Sequence, residues 1–545
     1  MKEPWIELKN VSFQYRGVDE LALKNINLTI RRGEKVLVLG ANESGKSTFI
    51  KLLMNQITEQ GSVFGEIIRH EEETTVVDAT HLEHFLSDET SRIAQTQVLD
   101  QQINEVYQTD LSEESFNLLS PGEQAIFRFL KSLHTTQNVF LFDEPLKNVS
   151  PHMGEVIVDT IDDLHQKLKA TVIISEHHLE EMMYRPIDRV FVMSDGRVVF
   201  DGALEALLRQ NLLASLGIRE PLYITAMRYA GYPTDQVVNI AKVNHLFGPK
   251  LRQTIQSWIN TVPSFIYPKP GEVILEAKDV AYAYANDRTR GVKKTNLTIR
   301  QGEMISVCGD NGSGKTTLGR LLSGAVLPSE GEIVWQGEAI TAQNVDRFKR
   351  EVPFIRHRRT RMTITESVHD YLMGVIHHYH YTQTDSEHAI DQALKQVDLF
   401  DKMDQIVANL SFVEQRRLAL AGALVRDPKL VIIEAPTEGQ DFEHFRAIMN
   451  YIYSLNADLG LTIMITTHDI ETMLEYTRRT FVMARGHIIA DETPVKVITS
   501  PYLVKQSALR TTSLNAFAQR IDLMDPYTFI QKFMDYDREV QRLTW

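Results

Sequence analysis

Short runs of Val, Ile and Leu recur along the chain and end at chemically distinctive residues, immediately before Gly40, Asp143, Gly309 and Glu434. Runs of this kind, apolar without alternation, predict strands buried on both faces, as in a parallel sheet covered by helices. Where the run meets glycine, the pattern predicts strand, tight loop and helix start in succession. From Leu204 to Leu216 and from Gln236 to Thr261, mixed apolar and polar spacing predicts short helices, with breaks at Pro221, Pro233 and Pro263. No apolar run approaches the roughly 18 to 20 residues that span a bilayer. The N-terminus also lacks the charged-then-apolar pattern of an export signal, so the chain is expected to be made for the cytosol and to stay there.

The two glycine loops share one signature, GANESGKS from Gly40 to Ser47 and GDNGSGKT from Gly309 to Thr316. A strand-to-helix turn with few side chains lets backbone N–H groups close around phosphate oxygens, while the lysine reaches the outer phosphates and the hydroxyl ligates magnesium. The candidate ATP contacts are therefore Gly40, Ala41, Asn42, Glu43, Ser44, Gly45, Lys46, Ser47 and Thr48, and likewise Gly309, Asp310, Asn311, Gly312, Ser313, Gly314, Lys315, Thr316 and Thr317. Ser47 and Thr316 are the candidate magnesium ligands. Two such loops in matching contexts predict two bound nucleotides.

The rest of the chain repeats in register with the loops. The interval from Tyr15 to Lys46 equals that from Tyr284 to Lys315. LSPGEQ (Leu119 to Gln124) matches LSFVEQ (Leu410 to Gln415), and NVFLFDEP ending at Pro145 matches KLVIIEAP ending at Pro436. The intervals from Ser120 to Asp143 to His177 are reproduced from Ser411 to Glu434 to His468. Two homologous copies follow. Only the stretch between lysine and signature serine differs, the first copy being shorter by about a helix pair.

Composition narrows the class. With 545 residues, 43% of them hydrophobic, the chain can build several cores. A net charge of −14 opposes broad nucleic-acid binding, and no nucleic-acid partner is expected. The single cysteine, Cys308, lies in the apolar run before the second loop, can form no internal disulfide and reads as a small core residue.

The order of glycine loop, LSxGE-type signature, apolar strand ending in DEP and isolated histidine resembles the nucleotide-binding domain of ABC ATPases, in both halves. The resemblance implies an α/β fold of two P-loop, RecA-like domains, each with an antiparallel β subdomain and a helical subdomain carrying the signature. It also implies head-to-tail pairing within the chain, each ATP lying between the loop of one copy and the signature of the other. In the first site Tyr15 would stack on adenine, Lys46 and Ser47 would hold phosphate and magnesium, and Asp143 would stand behind the metal's ligands. Glu144 would polarise the attacking water, His177 would meet the γ-phosphate, and Gln95 or Gln97 would be the Q-loop glutamine. Tyr284, Lys315, Thr316, Glu434 and His468 hold the matching positions of the second site, and Ser120 with Gly122, and Ser411, mark the signatures. Phosphoryl transfer to water needs positioning and charge neutralisation more than covalent help, and these residue types supply both.

Departures from the pattern matter as much. Ala435 stands where a carboxylate would orient water, whereas the signature expected to oppose that site, Ser120-Pro121-Gly122-Glu123, is intact. Conversely Glu144 is present, but its expected opposing signature reads Ser411-Phe412-Val413-Glu414, and a β-branched Val413 hinders close backbone approach. Glu144 is therefore expected to carry most of the hydrolysis while the Lys315 site mainly holds ATP. Glu43 replaces a loop glycine, and Ser150 replaces a D-loop aspartate that Asp441 retains. Arg356 takes the second Q-loop position, opening a basic cluster that runs to Arg361; such a cluster could meet acidic partner groups or anionic headgroups, or be a solvated loop. His377, His378 and His380 lack the i, i+4 spacing of a helical metal site and read as surface of the helical subdomain.

The expected organisation is residues 1–202 as the first ATPase domain, 203–270 as a helical inter-domain segment, 271–493 as the second ATPase domain and 494–545 as a helical C-terminal segment. The stretch beginning GIREPLYITAMRYAGY and the tail after Pro501 occupy the same relative place after each core. This arrangement resembles tandem energy-coupling-factor ATPases, especially the fused type associated with hydroxymethylpyrimidine or thiamine-precursor uptake. That resemblance implies a motor on the cytoplasmic face of the membrane, coupled to a separate transmembrane scaffold (T) subunit and a substrate-binding (S) membrane subunit, with ATP and Mg2+ as cofactors. A sugar-type tandem importer ATPase is the alternative, although degeneracy would then be expected in the second loop, which is intact. A translation-associated tandem ATPase would need a long basic inter-domain arm and a catalytic carboxylate in both copies, and an iron–sulfur relative would need cysteine clusters.

Overall fold

Residues 3–70, 76–78, 139–147, 151–267, 269–284, 287–356, 365–378 and 383–543 are described by this computed structural model. Gln95, Gln97, the first signature from Ser120 to Glu123, Ser150, residues 357–361 of the basic cluster and His380 lie outside the described residues, as do residues 79–119 of the stretch in which the two copies differ in length. The chain divides into two units, Met1–Gly248 with Asp441–Glu443, and Pro249–Gln440 with His444–Trp545.

The strands of the first unit are β1 (Pro4–Tyr15), β2 (Leu21–Arg31), β3 (Lys35–Leu39), β4 (Gly61–Arg69), β5 (Val76–Asp78), β6 (Val139–Asp143), β7 (Thr171–Glu176), β8 (Arg189–Ser194) and β9 (Arg197–Gly202). β1, β2 and β4 form an antiparallel sheet in the order β2-β1-β4, and the other six are ordered β5-β6-β7-β3-β8-β9. Within the larger sheet every pairing is parallel except the β8–β9 hairpin. β3, β6 and β7 are buried at every residue, as their unbroken apolar runs require of strands covered on both faces.

The helix Lys46–Leu53 is the piece that ties the two sheets together. Its Phe49 and Ile50 share one core with Trp5, Leu8 and Phe13 of β1 and with Val36 and Val38 of β3. Each side chain so buried contributes about 1.5–3 kcal/mol. The phosphate loop, which joins β3 to this helix, is thereby clamped at both ends at the carboxyl edge of a central strand, where open α/β sheets bind ligands.

The second unit repeats the plan. Its strands are β10 (Val273–Tyr284), β11 (Asp287–Arg300), β12 (Met304–Gly309), β13 (Glu330–Trp335), β14 (Glu338–Ala339), β15 (Phe354–Ile355), β16 (Leu430–Glu434), β17 (Thr462–Thr466), β18 (Arg479–Ala484) and β19 (His487–Glu492). They form sheets ordered β11-β10-β13-β14 and β15-β16-β17-β12-β18-β19, so the duplication read from residue spacing is a duplication of topology. Helices Val368–His378, Gln383–Gln396 and Phe412–Leu424 pack together, and the last of them opens with the second signature. Cys308 is fully buried in β12, and burial pushes its thiol up to about 12.

The 203–270 segment is divided between the units, because Pro249–Thr261 and the chain to Tyr267 pack on the C-terminal helix Pro526–Leu543. Trp258 meets Tyr536 edge-on with ring centroids 5.6 Å apart. Lys532 Nζ donates to the carbonyls of Ile259 at 3.0 Å and Val262 at 2.9 Å, satisfying acceptors that a helix end leaves open. Gln236–Thr261 is helical only from Pro249: before it the chain makes short 3-10 turns, with Asn239 at φ 55 and Gly248 at φ 138 breaking any longer helix.

Candidate functional site

Both phosphate loops hold their lysine in the same way. Lys46 Nζ donates to the carbonyls of Gly40 at 2.7 Å and Ala41 at 2.8 Å; Lys315 Nζ does so to Gly309 and Asp310, each at 2.8 Å. The ammonium groups thus sit inside the loops, held by backbone oxygens. Burial lowers both lysine pKa values, opposed by the charges of Glu144, Glu176 and Asp143 around Lys46 and of Asp310, Glu438 and Glu434 around Lys315. Gly45 and Gly314 cap the following helices at φ 99 and 107, where a side chain would be strained. The hydroxyls of Ser44 and Ser313 are buried in the loops and find no hydrogen-bond partner among the described residues. Such orphaned donors suit an anionic ligand, since a phosphate oxygen would accept from them. Glu43 occupies at φ 62 the position that Gly312 holds at φ 78, so the substitution keeps the loop's shape at the cost of left-handed backbone.

The aromatic residues expected at the base lie against their helices. Tyr15 Oη is 3.1 Å from Thr48 Oγ1 and Tyr284 Oη is 3.2 Å from Thr317 Oγ1. Each ring is braced edge-on by the aromatic two residues before it, Phe13 at 4.9 Å and Tyr282 at 5.2 Å. Arg320, which sequence spacing did not single out, donates to Tyr284 Oη at 3.1 Å.

Beyond β6, Asp143 accepts from the Ser175 hydroxyl. Glu144 turns sharply away at φ 49, its N–H donating to Ser175 O at 3.0 Å. Its carboxylate lies 2.8 Å from Lys147 Nζ and 3.8 Å from His177 Nδ1. His177 is buried, and among the described residues neither ring nitrogen finds a hydrogen-bond partner. Burial first, and then the charge of His178, hold its pKa down to about 3, so the ring is neutral at pH 7 and offers one N–H donor and one acceptor. Glu176 precedes it, fully buried. Burial would raise this carboxyl, but the hydrogen bond and charge of His178 and the backbone N–H of His177, 2.8 Å from Oε1, bring it to about 2.

In the second unit a cavity of 520 Å³ gathers most of the expected residues: Tyr284, Lys315, Thr316, Glu434, Ala435 and His468 all line it. The Thr316 hydroxyl donates to Glu434, placing two hard oxygen donors together beside the lysine. Arg356 lines the same cavity, as does Glu438, which sequence reading passed over. Ser411 caps Phe412–Leu424 in a reciprocal box with Glu414: Ser411 N donates to Glu414 Oε2 at 2.8 Å, and Glu414 N to Ser411 Oγ at 3.3 Å. His377 and His378 end the helix Val368–His378 on its exposed side.

Comparison with known proteins agrees with this geometry. The ABC transporter family profile matches residues 23–147 and 292–438, which contain both loops and both acidic strand ends. An ABC transporter ATP-binding protein of Enterococcus faecalis, so named, is 32% identical over 99% of this chain and 100% of its own length. The chain belongs to the ABC transporter ATP-binding proteins. As a member of that family it binds and hydrolyses ATP in α/β ATPase cassettes. A similarly named relative in Lactiplantibacillus plantarum is 31% identical over 99% of this chain and 100% of its own. A second family, described as ATP-binding cassette cobalt transporter, matches residues 210–282. Among solved structures, CbiO1 from Clostridium perfringens, part of the ABC transporter complex CbiONQ, is 27% identical over 43% of this chain and 94% of its own, with a TM-score of 0.39. Among the described residues no helix is long and apolar enough to cross a membrane.

Proposed function

We propose that this ABC ATP-binding protein is the ATP-hydrolysing motor of an energy-coupling-factor importer, working at the cytoplasmic face of the membrane with a separate transmembrane scaffold and a small substrate-capturing membrane subunit. The observation that carries this reading is the segment between the copies: residues 210–282 match the family described as ATP-binding cassette cobalt transporter. That segment also underlies the resemblance to fused ATPases of thiamine-precursor uptake. Two solute classes follow from it, a divalent metal such as cobalt and a thiamine precursor, the first favoured by the matched family's description.

Chemically, Lys46 and the loop N–H groups hold the phosphates of the first ATP. Glu144 takes a hydrogen bond from the attacking water, and neutral His177 gives one to the γ-phosphate. Magnesium would be held by Ser47 and Thr316, with Asp143 and Glu434 behind, and would neutralise phosphate charge; the Thr316–Glu434 contact fits that hard-oxygen set. On this reading Glu144 carries most of the hydrolysis.

The test is detergent purification of the tagged chain from its native membrane, with mass spectrometry of what co-purifies. Two small polytopic membrane proteins are expected, and the substrate-capturing one supplies the material for solute screening. A chain recovered alone from the soluble fraction would end the importer reading and leave the ATPase.

A further inference from the structure

The turns that follow β6 and β16 share only their proline, and among their differences is the charge at the first and fourth turn positions. The first runs Asp143-Glu144-Pro145-Leu146-Lys147 and the second Glu434-Ala435-Pro436-Thr437-Glu438. Their backbones are alike. Glu144 and Ala435 take φ of 49 and 42, a left-handed conformation that costs a non-glycine residue roughly 1 kcal/mol or more. Each donates its N–H back to the adjacent strand, Glu144 to Ser175 O at 3.0 Å and Ala435 to Thr466 O at 2.8 Å. Each turn is then closed from its fourth position: Lys147 N donates to Glu144 O at 3.1 Å, and Glu438 N to Ala435 O at 3.4 Å.

In the first copy this geometry brings the side chain three residues on back to the carboxylate, with Lys147 Nζ 2.8 Å from Glu144 Oε2. Position 438 holds the matching place in the second turn, where a carboxylate stands three residues after Ala435. Two observations agree. Ala435 and Glu438 both line the nucleotide cavity, and Glu438 stands with Asp310 and Glu434 among the negative charges acting on Lys315. The acidic group is thus moved along the turn, from the first position to the fourth, rather than lost.

We propose that Glu438 is the carboxylate that orients and activates water in the second nucleotide site, in place of the group missing at Ala435. The water oxygen forms a bond to the γ-phosphorus as the bond from that phosphorus to the β,γ-bridging oxygen breaks, leaving ADP. The proton released by water passes to the Glu438 carboxylate and from there to the departing phosphate. The second site is then a slower ATPase rather than a passive holder of ATP. This rests on reading Glu144 as the corresponding group of the first copy.

The experiment measures steady-state hydrolysis and bound nucleotide for Glu144→Gln, Glu438→Gln and the double variant of the full chain. Glutamine keeps the size of the side chain and removes its basicity. Glu144→Gln is expected to lower turnover about tenfold or more and leave a residual rate; adding Glu438→Gln lowers that residual rate by about tenfold again, with bound nucleotide unchanged. Ala435→Glu combined with Glu438→Lys writes the first copy's pair into the second turn, and in the Glu144→Gln background it is expected to keep or raise the residual rate. The backbone at Ala435 is already the one that Glu144 adopts, so the substitution is compatible with the fold. A double variant as fast as Glu144→Gln alone, or no measurable turnover in Glu144→Gln, overturns the proposal. Wild-type turnover in Glu144→Gln would instead remove the Glu144 assignment, and the response of that turnover to Glu438→Gln would then support or overturn Glu438 by itself.

Discussion

His177 shows how burial sets the chemistry of a single residue. Its folded pKa, about 3, lies below the ~6.5 of an unfolded histidine. Between those values the unfolded chain binds a proton that the folded chain refuses, so stability falls as pH drops through 6.5. Glu176, held at about 2 against the ~4.3 of a free glutamate, adds a further loss below about pH 4.5. Thermal unfolding followed from pH 7 to pH 5 is expected to show a falling Tm, and His177→Gln a flatter slope than the parent. Equal slopes would mean that the imidazole binds its proton as readily in the folded protein as in the unfolded chain. At pH 7 the same refusal keeps the ring neutral, so in the role proposed for it His177 would meet the γ-phosphate as a directed hydrogen-bond donor and not as a diffuse positive charge.

At the scale of the element, the helix Lys46–Leu53 is expected to link stability to nucleotide binding, since the residues that bury it begin three positions after the lysine proposed to bind phosphate. Phe49 is fully buried in the core shared by the two sheets of its unit. Phe49→Ala is expected to cost about 3–5 kcal/mol in denaturant unfolding and to weaken ATP binding at the first loop. Unaltered stability would show that the two sheets close over the gap. The loops and the strands before them were legible in the sequence because their signals are local: glycines at fixed offsets, a lysine, an unbroken apolar run. Glu438 was not legible, because its place depends on a left-handed residue folding the turn back on itself, and Ala435 gives no hint of that conformation. Nor was the pairing of Pro249–Thr261 with Pro526–Leu543, whose contacts, Trp258 on Tyr536 and Lys532 on the carbonyls of Ile259 and Val262, join positions far apart in the chain. The helix expected from Gln236 was too long because apolar spacing alone does not register a residue such as Asn239 with positive φ.

For the whole molecule, duplication has preserved geometry more faithfully than chemistry. Both units keep the sheet order, the lysine lodged in its loop, the braced tyrosine and the left-handed strand end, while the acidic groups differ. Two ATP molecules are expected to bind per chain in equilibrium dialysis with magnesium, and Lys46→Ala and Lys315→Ala each to remove one. Retention of both nucleotides in Lys315→Ala would dismiss the 520 Å³ cavity as a binding site. One detail of the duplication was not copied. Cys308, the only thiol in the chain, is sealed in the central strand of the second unit, with burial holding it near 12. The protonated thiol is unreactive, so an alkylating label added to the native protein marks only molecules in which that unit has come open. Nature has thereby installed a one-site reporter of breathing in one half of a twinned machine, with no background from the other.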